Sequence, residues 1–119
     1  MNTDDMPVLF SPAVGKKGIN GLHYAAYCGN LDALRIYLDA GFDPNTKDQY
    51  RGYTALHWLA DMAAVGGPCL EMLRLLVSNG ADIHLHADNG ETVLSLARAA
   101  TSGTGDEMVA ELLALGAKV

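Results

Sequence analysis

The chain carries one pattern three times over, and an internal repeat restricts the possible folds more tightly than any composition can. GINGLHYAA at 18–26, GYTALHWLA at 52–60 and GETVLSLAR at 90–98 each open on glycine and place leucine four residues later. Leu22 and Leu56 stand 34 positions apart, and Leu56 and Leu94 stand 38 apart. A second pattern follows each copy in step: LDALRIYLDAGFDPN at 31–45, LEMLRLLVSNGADIH at 70–84 and DEMVAELLALGAKV at 106–119. Its glycines, Gly41, Gly80 and Gly116, are 39 and 36 residues apart. Two signals recurring together three times define an array whose units bury their apolar faces against their neighbours.

Each half of the unit has a physical reading. LDALRIYL and LEMLRLLV space apolar residues as a helix does and then end on glycine, which accepts the left-handed conformation that stops a helix. The apolar, alanine-rich LHYAA and LHWLA stretches predict short helices pressed between neighbours. Turn formers come next, DPNTKDQYRG after the first unit and DIHLHADNG after the second. The unit is therefore helix, loop, helix and extended turn, an all-α class. With 119 residues, half of them hydrophobic and 18% charged, the chain has material for one modest core and folds rather than staying disordered.

This pattern resembles the ankyrin repeat, G-x-T-P-L-H-x-A followed by a second helix and a glycine, at about 33 residues per unit. Repeat two carries Thr54, Leu56, His57 and Ala60; repeat one carries Leu22, His23 and Ala25; repeat three carries Thr92, Leu94 and Ala97. The resemblance implies an ankyrin-repeat solenoid of helix-loop-helix units joined by extended β-turn fingers. The single domain covers residues 16–119, with repeats at about 16–47, 48–86 and 87–119. Residues 1–15 form an N-terminal extension, expected to pack on the first repeat through Val8-Leu9-Phe10. Departures are local. Gly21, Ala55 and Val93 stand where the family has proline, Asn20 replaces threonine, and Ser95 replaces histidine. Repeat two carries a five-residue insertion within DMAAVGGPC, and repeat three a three-residue one within ATSGTG.

The histidines need a role. In the family, the motif histidine braces the turn, and His57 with Thr54 and His23 with Asn20 fit that part. Occurrence twice in register suits a scaffold, since a catalytic base needs one copy. Trp58 aligns with Tyr24 and Leu96 and is expected to pack between repeats. His84 and His86 alternate in an extended segment, so both imidazoles can point the same way and, with Asp88, offer a metal- or small-ligand-binding alternative. His84 nevertheless aligns with Asn45, a turn-supporting position, and no third ligand stands at a diagnostic spacing; no metal and no cofactor are assigned. Cys28 and Cys69 are expected to be free thiols.

The chain holds no nucleophile elbow, no phosphate-cradling glycine loop and no H-E-x-x-H, so it is not expected to be an enzyme. A net charge of −6 repels phosphate backbones and anionic lipid, which argues against nucleic acid and membrane. The N-terminus lacks a basic and apolar signal pattern, and a cytoplasmic monomer is expected. In the resembling family, partner contacts come from the turn and from the end of the first helix. Carried over, these are Lys16, Lys17, Ile19, Tyr27 and Cys28, then Lys47, Gln49, Tyr50, Arg51, Tyr53, Asp61 and Met62, then His86, Asp88, Asn89 and Glu91. The middle finger, QYRGY, is one residue longer than the family turn and concentrates tyrosine and arginine, the residues enriched at interface hot spots. The expected function is a non-catalytic protein–protein interaction module that binds a protein partner and masks or inhibits it.

Overall fold

A computed structural model of the protein describes residues 19–61, 68–100 and 105–117. The N-terminal extension, most of the two insertions and Met62 lie outside the described residues. Six helices run in order: α1 (Gly21–Cys28), α2 (Leu31–Asp39), α3 (Ala55–Asp61), α4 (Cys69–Ser78), α5 (Val93–Ala99) and α6 (Gly105–Ala114). The alanine-rich stretches thus form the short helices and the longer periodic stretches the second ones, as the sequence predicts. The glycines that close α2, α4 and α6 all have left-handed backbones, with φ of 96°, 94° and 101° at Gly41, Gly80 and Gly116. A residue with a Cβ is strained there, so glycine ends each unit at the same place.

The helices form two rows. α1, α3 and α5 pack side by side, as do α2, α4 and α6, and each pair closes on itself. Between the rows lies the core, where Leu34, Leu56, Met72, Leu73, Leu76 and Leu112 are at most 1% exposed. No helix among the described residues is long and apolar enough to cross a membrane.

Polar side chains set the ends of the first-row helices and then tie one repeat to the next. Asn20 caps α1 by accepting from the backbone N–H groups of Leu22 and His23 at 2.9 and 3.2 Å. His23 answers by accepting the Asn20 N–H on Nδ1 at 3.1 Å. His57 accepts the Thr54 N–H on Nδ1 at 3.1 Å, with the Thr54 hydroxyl 2.8 Å from the same nitrogen. An Nδ1 that accepts from a backbone amide carries no proton, so the proton sits on Nε2. That nitrogen reaches onward to the finger that follows each helix pair: His23 donates to the Thr46 carbonyl at 2.8 Å, and His57 to the Leu85 carbonyl at 3.1 Å. Ser95 takes the capping role in α5, exchanging bonds with Thr92 at 2.8 and 3.0 Å. Its short side chain turns back on Thr92 instead of reaching onward.

Both bracing histidines are neutral by construction. Burial is the main cause that lowers their pKa below 6.5, and the accepting carbonyls of Thr46 and Leu85 offset it only in part. Between pH 6.5 and the lowered folded values, the unfolded chain binds protons that the native chain refuses. Stability is therefore complete above pH 6.5 and falls as the pH drops below it. Urea midpoints measured at descending pH should decline in this window, ahead of the carboxylates, which titrate nearer 4. A flat profile down to about pH 5 would contradict the buried neutral imidazoles. His57→Ala leaves a buried carbonyl and a helix cap without partners, and should cost about 2–3 kcal/mol in urea unfolding.

Candidate functional site

The second finger is built on one carboxylate. Asp48 is buried, at 4% exposure, where its counterpart in the third finger is the apolar Ala87. Its Oδ1 accepts the backbone N–H groups of Tyr50, Arg51 and Tyr53 at 3.1, 2.9 and 3.1 Å. Its Oδ2 accepts the Trp58 indole N–H at 2.8 Å. The Asp48 N–H closes the loop by donating to the Tyr53 carbonyl at 2.9 Å. In the third finger the matching bond runs from Ala87 to Glu91, one residue shorter. The extra residue of the second finger is thus gathered onto Asp48, and a carboxylate with several charge-assisted donors is a strong anchor.

Anchoring the finger sets what it presents. Tyr50 is 47% exposed, and the Arg51 guanidinium lies over its ring at 5.0 Å from the centroid. The same guanidinium lies 5.5 Å from the Tyr53 centroid and 3.7 Å from the Asp61 carboxylate. The Tyr53 hydroxyl first, and then that of Tyr50, raise the pKa of Arg51 above its ordinary value and hold its charge. The ion pair with Asp61 is exposed on both sides and contributes little to stability. Its use is to orient the side chain.

An aromatic path leads from the finger into the surface of repeat one. Tyr53 stacks on His57 at 5.4 Å and meets Trp58 edge-on at 5.2 Å. Trp58 in turn meets Tyr27 edge-on at 5.7 Å, and Tyr27 is 47% exposed. Tyr27, Trp58, Tyr50, Arg51 and Asp61 therefore belong to one connected surface drawn from two repeats. Such edge-to-face contacts are favoured by the ring quadrupoles and keep the rings in fixed orientations.

Most of the residues expected at the partner surface are exposed, but their roles divide. Tyr53 is a correction: it is 3% exposed and wedged between His57 and Trp58, so its ring supports the finger from beneath and is not offered to a partner. Lys47 is exposed, yet its ammonium donates to the His86 carbonyl at 2.8 Å and ties the two fingers together. Gln49, His86, Asp88 and Asn89 are exposed, Glu91 is half-buried, Ile19 is half-buried, and Cys28 keeps an exposed thiol. Lys16, Lys17 and Met62 lie outside the described residues. The fingers also touch through their main chains, since the Asp88 N–H donates to the Arg51 carbonyl at 2.9 Å. Gly52, with φ of 71°, lies so close that a Cβ there would run into the Asp88 side chain and backbone. Among the described residues, no three His, Cys, Asp or Glu side chains gather around one point, so His84, His86 and Asp88 do not form a three-ligand shell.

Stacked helix pairs, bracing histidines and linked fingers have a known counterpart. The model of the family described as ankyrin repeats (3 copies) matches residues 22–119. The chain belongs to the ankyrin-repeat family. An ankyrin repeat-containing protein of Schizosaccharomyces pombe is 39% identical over 70 residues, covering 59% of this chain and 31% of that protein. Protein phosphatase 1 regulatory subunit 12A of Mus musculus is 37% identical over 82 residues, covering 69% of this chain and 7% of its own. The DNA-binding protein RFXANK of Homo sapiens is 36% identical over 76 residues, covering 64% of this chain and 27% of its own. The chain spans less than a third of each of these relatives. Ankyrin repeats generally mediate protein–protein interaction, and two of these relatives are named for a regulatory or a binding role.

Sequence reasoning missed Asp48 as a part of the site, although an aspartate opening a turn is a recognised amide acceptor. Asp48→Ala should leave three amides and the indole without their acceptor and destabilise the chain by about 2–3 kcal/mol. Trp58 is the only tryptophan, so its emission reports directly on the loss. Unchanged fluorescence and stability in Asp48→Ala would mean that the finger is not held by this carboxylate. Gly52→Ala meets both a left-handed backbone and a collision with Asp88, and should lower the urea midpoint by an amount equivalent to about 1–3 kcal/mol.

Proposed function

We propose that this chain is a non-catalytic binding module that captures a protein partner with the second finger and the adjoining helix ends, and by covering the partner masks or inhibits it. The observation that carries this reading is the pose of Tyr50 and Arg51, which project from a finger locked by Asp48 and adjoin Trp58 and Tyr27. Tyrosine, tryptophan and arginine dominate binding energy at interfaces: the two aromatics bury large areas with only two rotatable bonds, and arginine offers a planar fork of five donors. A finger already fixed before binding also avoids much of the ordering entropy that association costs. Asp61, paired with Arg51, and Asp88, which lies against Gly52, set polar groups beside the aromatic patch, as an interface rim does.

The relative named as a regulatory subunit of a phosphatase supports the idea that such a surface controls another protein by contact. The relative named for DNA binding does not transfer, because a net charge of −6 opposes association with a phosphate backbone. A monomer acting in the cytoplasm completes the proposal.

The test is affinity for the partner. With the partner identified by cross-linking from the native source, Tyr50→Ala and Arg51→Ala should each weaken the complex by about 2 kcal/mol or more in calorimetry. Both side chains lie at the surface, so both variants should keep a melting temperature near the parent's. Affinity unchanged in both would take the second finger out of the interface and overturn the reading.

A further inference from the structure

The first helix row presents a corner of aromatic rings beside a carboxylate. Tyr27 of α1 and Trp58 of α3 stand nearly perpendicular, at 89°, with centroids 5.7 Å apart. Tyr27 is exposed and Trp58 half-buried, so both rings reach the surface. Asp61 follows Trp58 by three residues in α3, which puts the two on one face of the helix, a turn apart. Tyr27 and Asp61 are 34 residues apart, the spacing of Leu22 and Leu56. They therefore hold matching places on two helices that pack side by side.

The chemistry of this corner favours a cation. Aromatic ring faces carry negative potential, and the indole face attracts a positive group most strongly. Trp58 donates its indole N–H to the Asp48 carboxylate at 2.8 Å, and a bond to an anion pushes further electron density into the ring. Next door the chain holds a guanidinium of its own by the same elements. Arg51 lies over the rings of Tyr50 and Tyr53, at 5.0 and 5.5 Å, and 3.7 Å from Asp61. A charge-assisted hydrogen bond is about 2.7–2.9 Å long, so Asp61 keeps the capacity to accept from a second donor. The cations nearby are already engaged, Arg51 on its tyrosines and Lys47 on the His86 carbonyl, whereas the exposed Asp88 lies against the finger at Gly52. In a chain of net charge −6, this patch complements a positive group better than a negative one.

We propose that the protein partner inserts an arginine into this corner, with its guanidinium against Trp58 and Tyr27 and its N–H groups on Asp61. Arginine fits better than lysine, because its planar group stacks on rings and meets a carboxylate through two donors at once. The proposal rests on the reading of the second finger and its surroundings as a partner surface, and adds the chemistry of the group that this surface receives.

The probe is a phage-displayed library of random peptides, about a dozen residues long and free of tryptophan, selected on the full chain. Arginine should be enriched among the selected peptides over the unselected library. A selected peptide, made synthetically, should change the emission of Trp58, the only tryptophan, in a saturable titration. Exchanging its arginine for citrulline, which keeps the shape and loses the charge, should weaken binding about fivefold or more. Asp61→Asn in the chain should do the same, and because Asp61 is exposed that variant keeps the fold. Combined, the two changes should weaken binding little more than either alone, since both break one contact. Selected peptides without arginine enrichment would overturn the proposal, as would enrichment of aspartate or glutamate, which would place an anion on Arg51. Citrulline peptides that bind as well, strictly additive losses, or no selected binder at all would also overturn it. If arginine is missing while Tyr50→Ala and Arg51→Ala still weaken the selected peptides, this inference alone falls. If those two substitutions are silent as well, the partner surface falls with it.

Discussion

The structure depends on a buried imidazole that serves a helix start and a distant finger at once. One nitrogen of His57 completes the start of its own helix, and the other fastens the finger that leads into the next unit. No helix pair here can cover its own apolar face, so stacking is obligatory, and the imidazole fixes the distance and register at which stacking occurs. Apolar contact alone is non-directional and would tolerate sliding. The histidine bridge does not, because a buried donor or acceptor left unmade costs more than the bond is worth when formed. His23 repeats the device on the finger that leads from repeat one to repeat two.

This bridging divides the labour between the inside of the array and its fingers. With register set by the helix caps and the bridges, the exposed tips of the fingers can be shaped locally. The second finger shows how. An added residue would ordinarily loosen a turn, yet here three amides converge on Asp48, and the indole of Trp58 uses its remaining oxygen. Among the described residues, no buried side-chain nitrogen or oxygen is left without a partner. The polar cost of burying a carboxylate is offset by four donors.

Much of the fold was legible in the residues, for identifiable reasons. Repetition with a fixed phase reveals stacking directly, and terminal glycines mark where each unit stops. His57 was readable as a brace because it recurs beside a capping residue in register. The site was only partly legible. Exposure of Tyr50 and Arg51 stems from their place at a turn tip, but the burial of Tyr53 does not: alternation along a finger is not set by a helical or strand period, and its ring turns inward to meet His57 and Trp58. Asp48 escaped notice because its role lies in the geometry of amides contributed by later residues. The service of Lys47 as a tie between fingers depends on a backbone carbonyl 39 residues away, which no local pattern announces.

Gly52 has a wider meaning when seen from outside the molecule. Its bare backbone lets the tip of one finger rest against the next, while the Arg51 carbonyl and the Lys47 ammonium fasten the two. Neighbouring tips therefore keep a constant separation, and the surface works as a ruler. In the proposed binding role, the interval between contact points would select a partner protein alongside their chemistry.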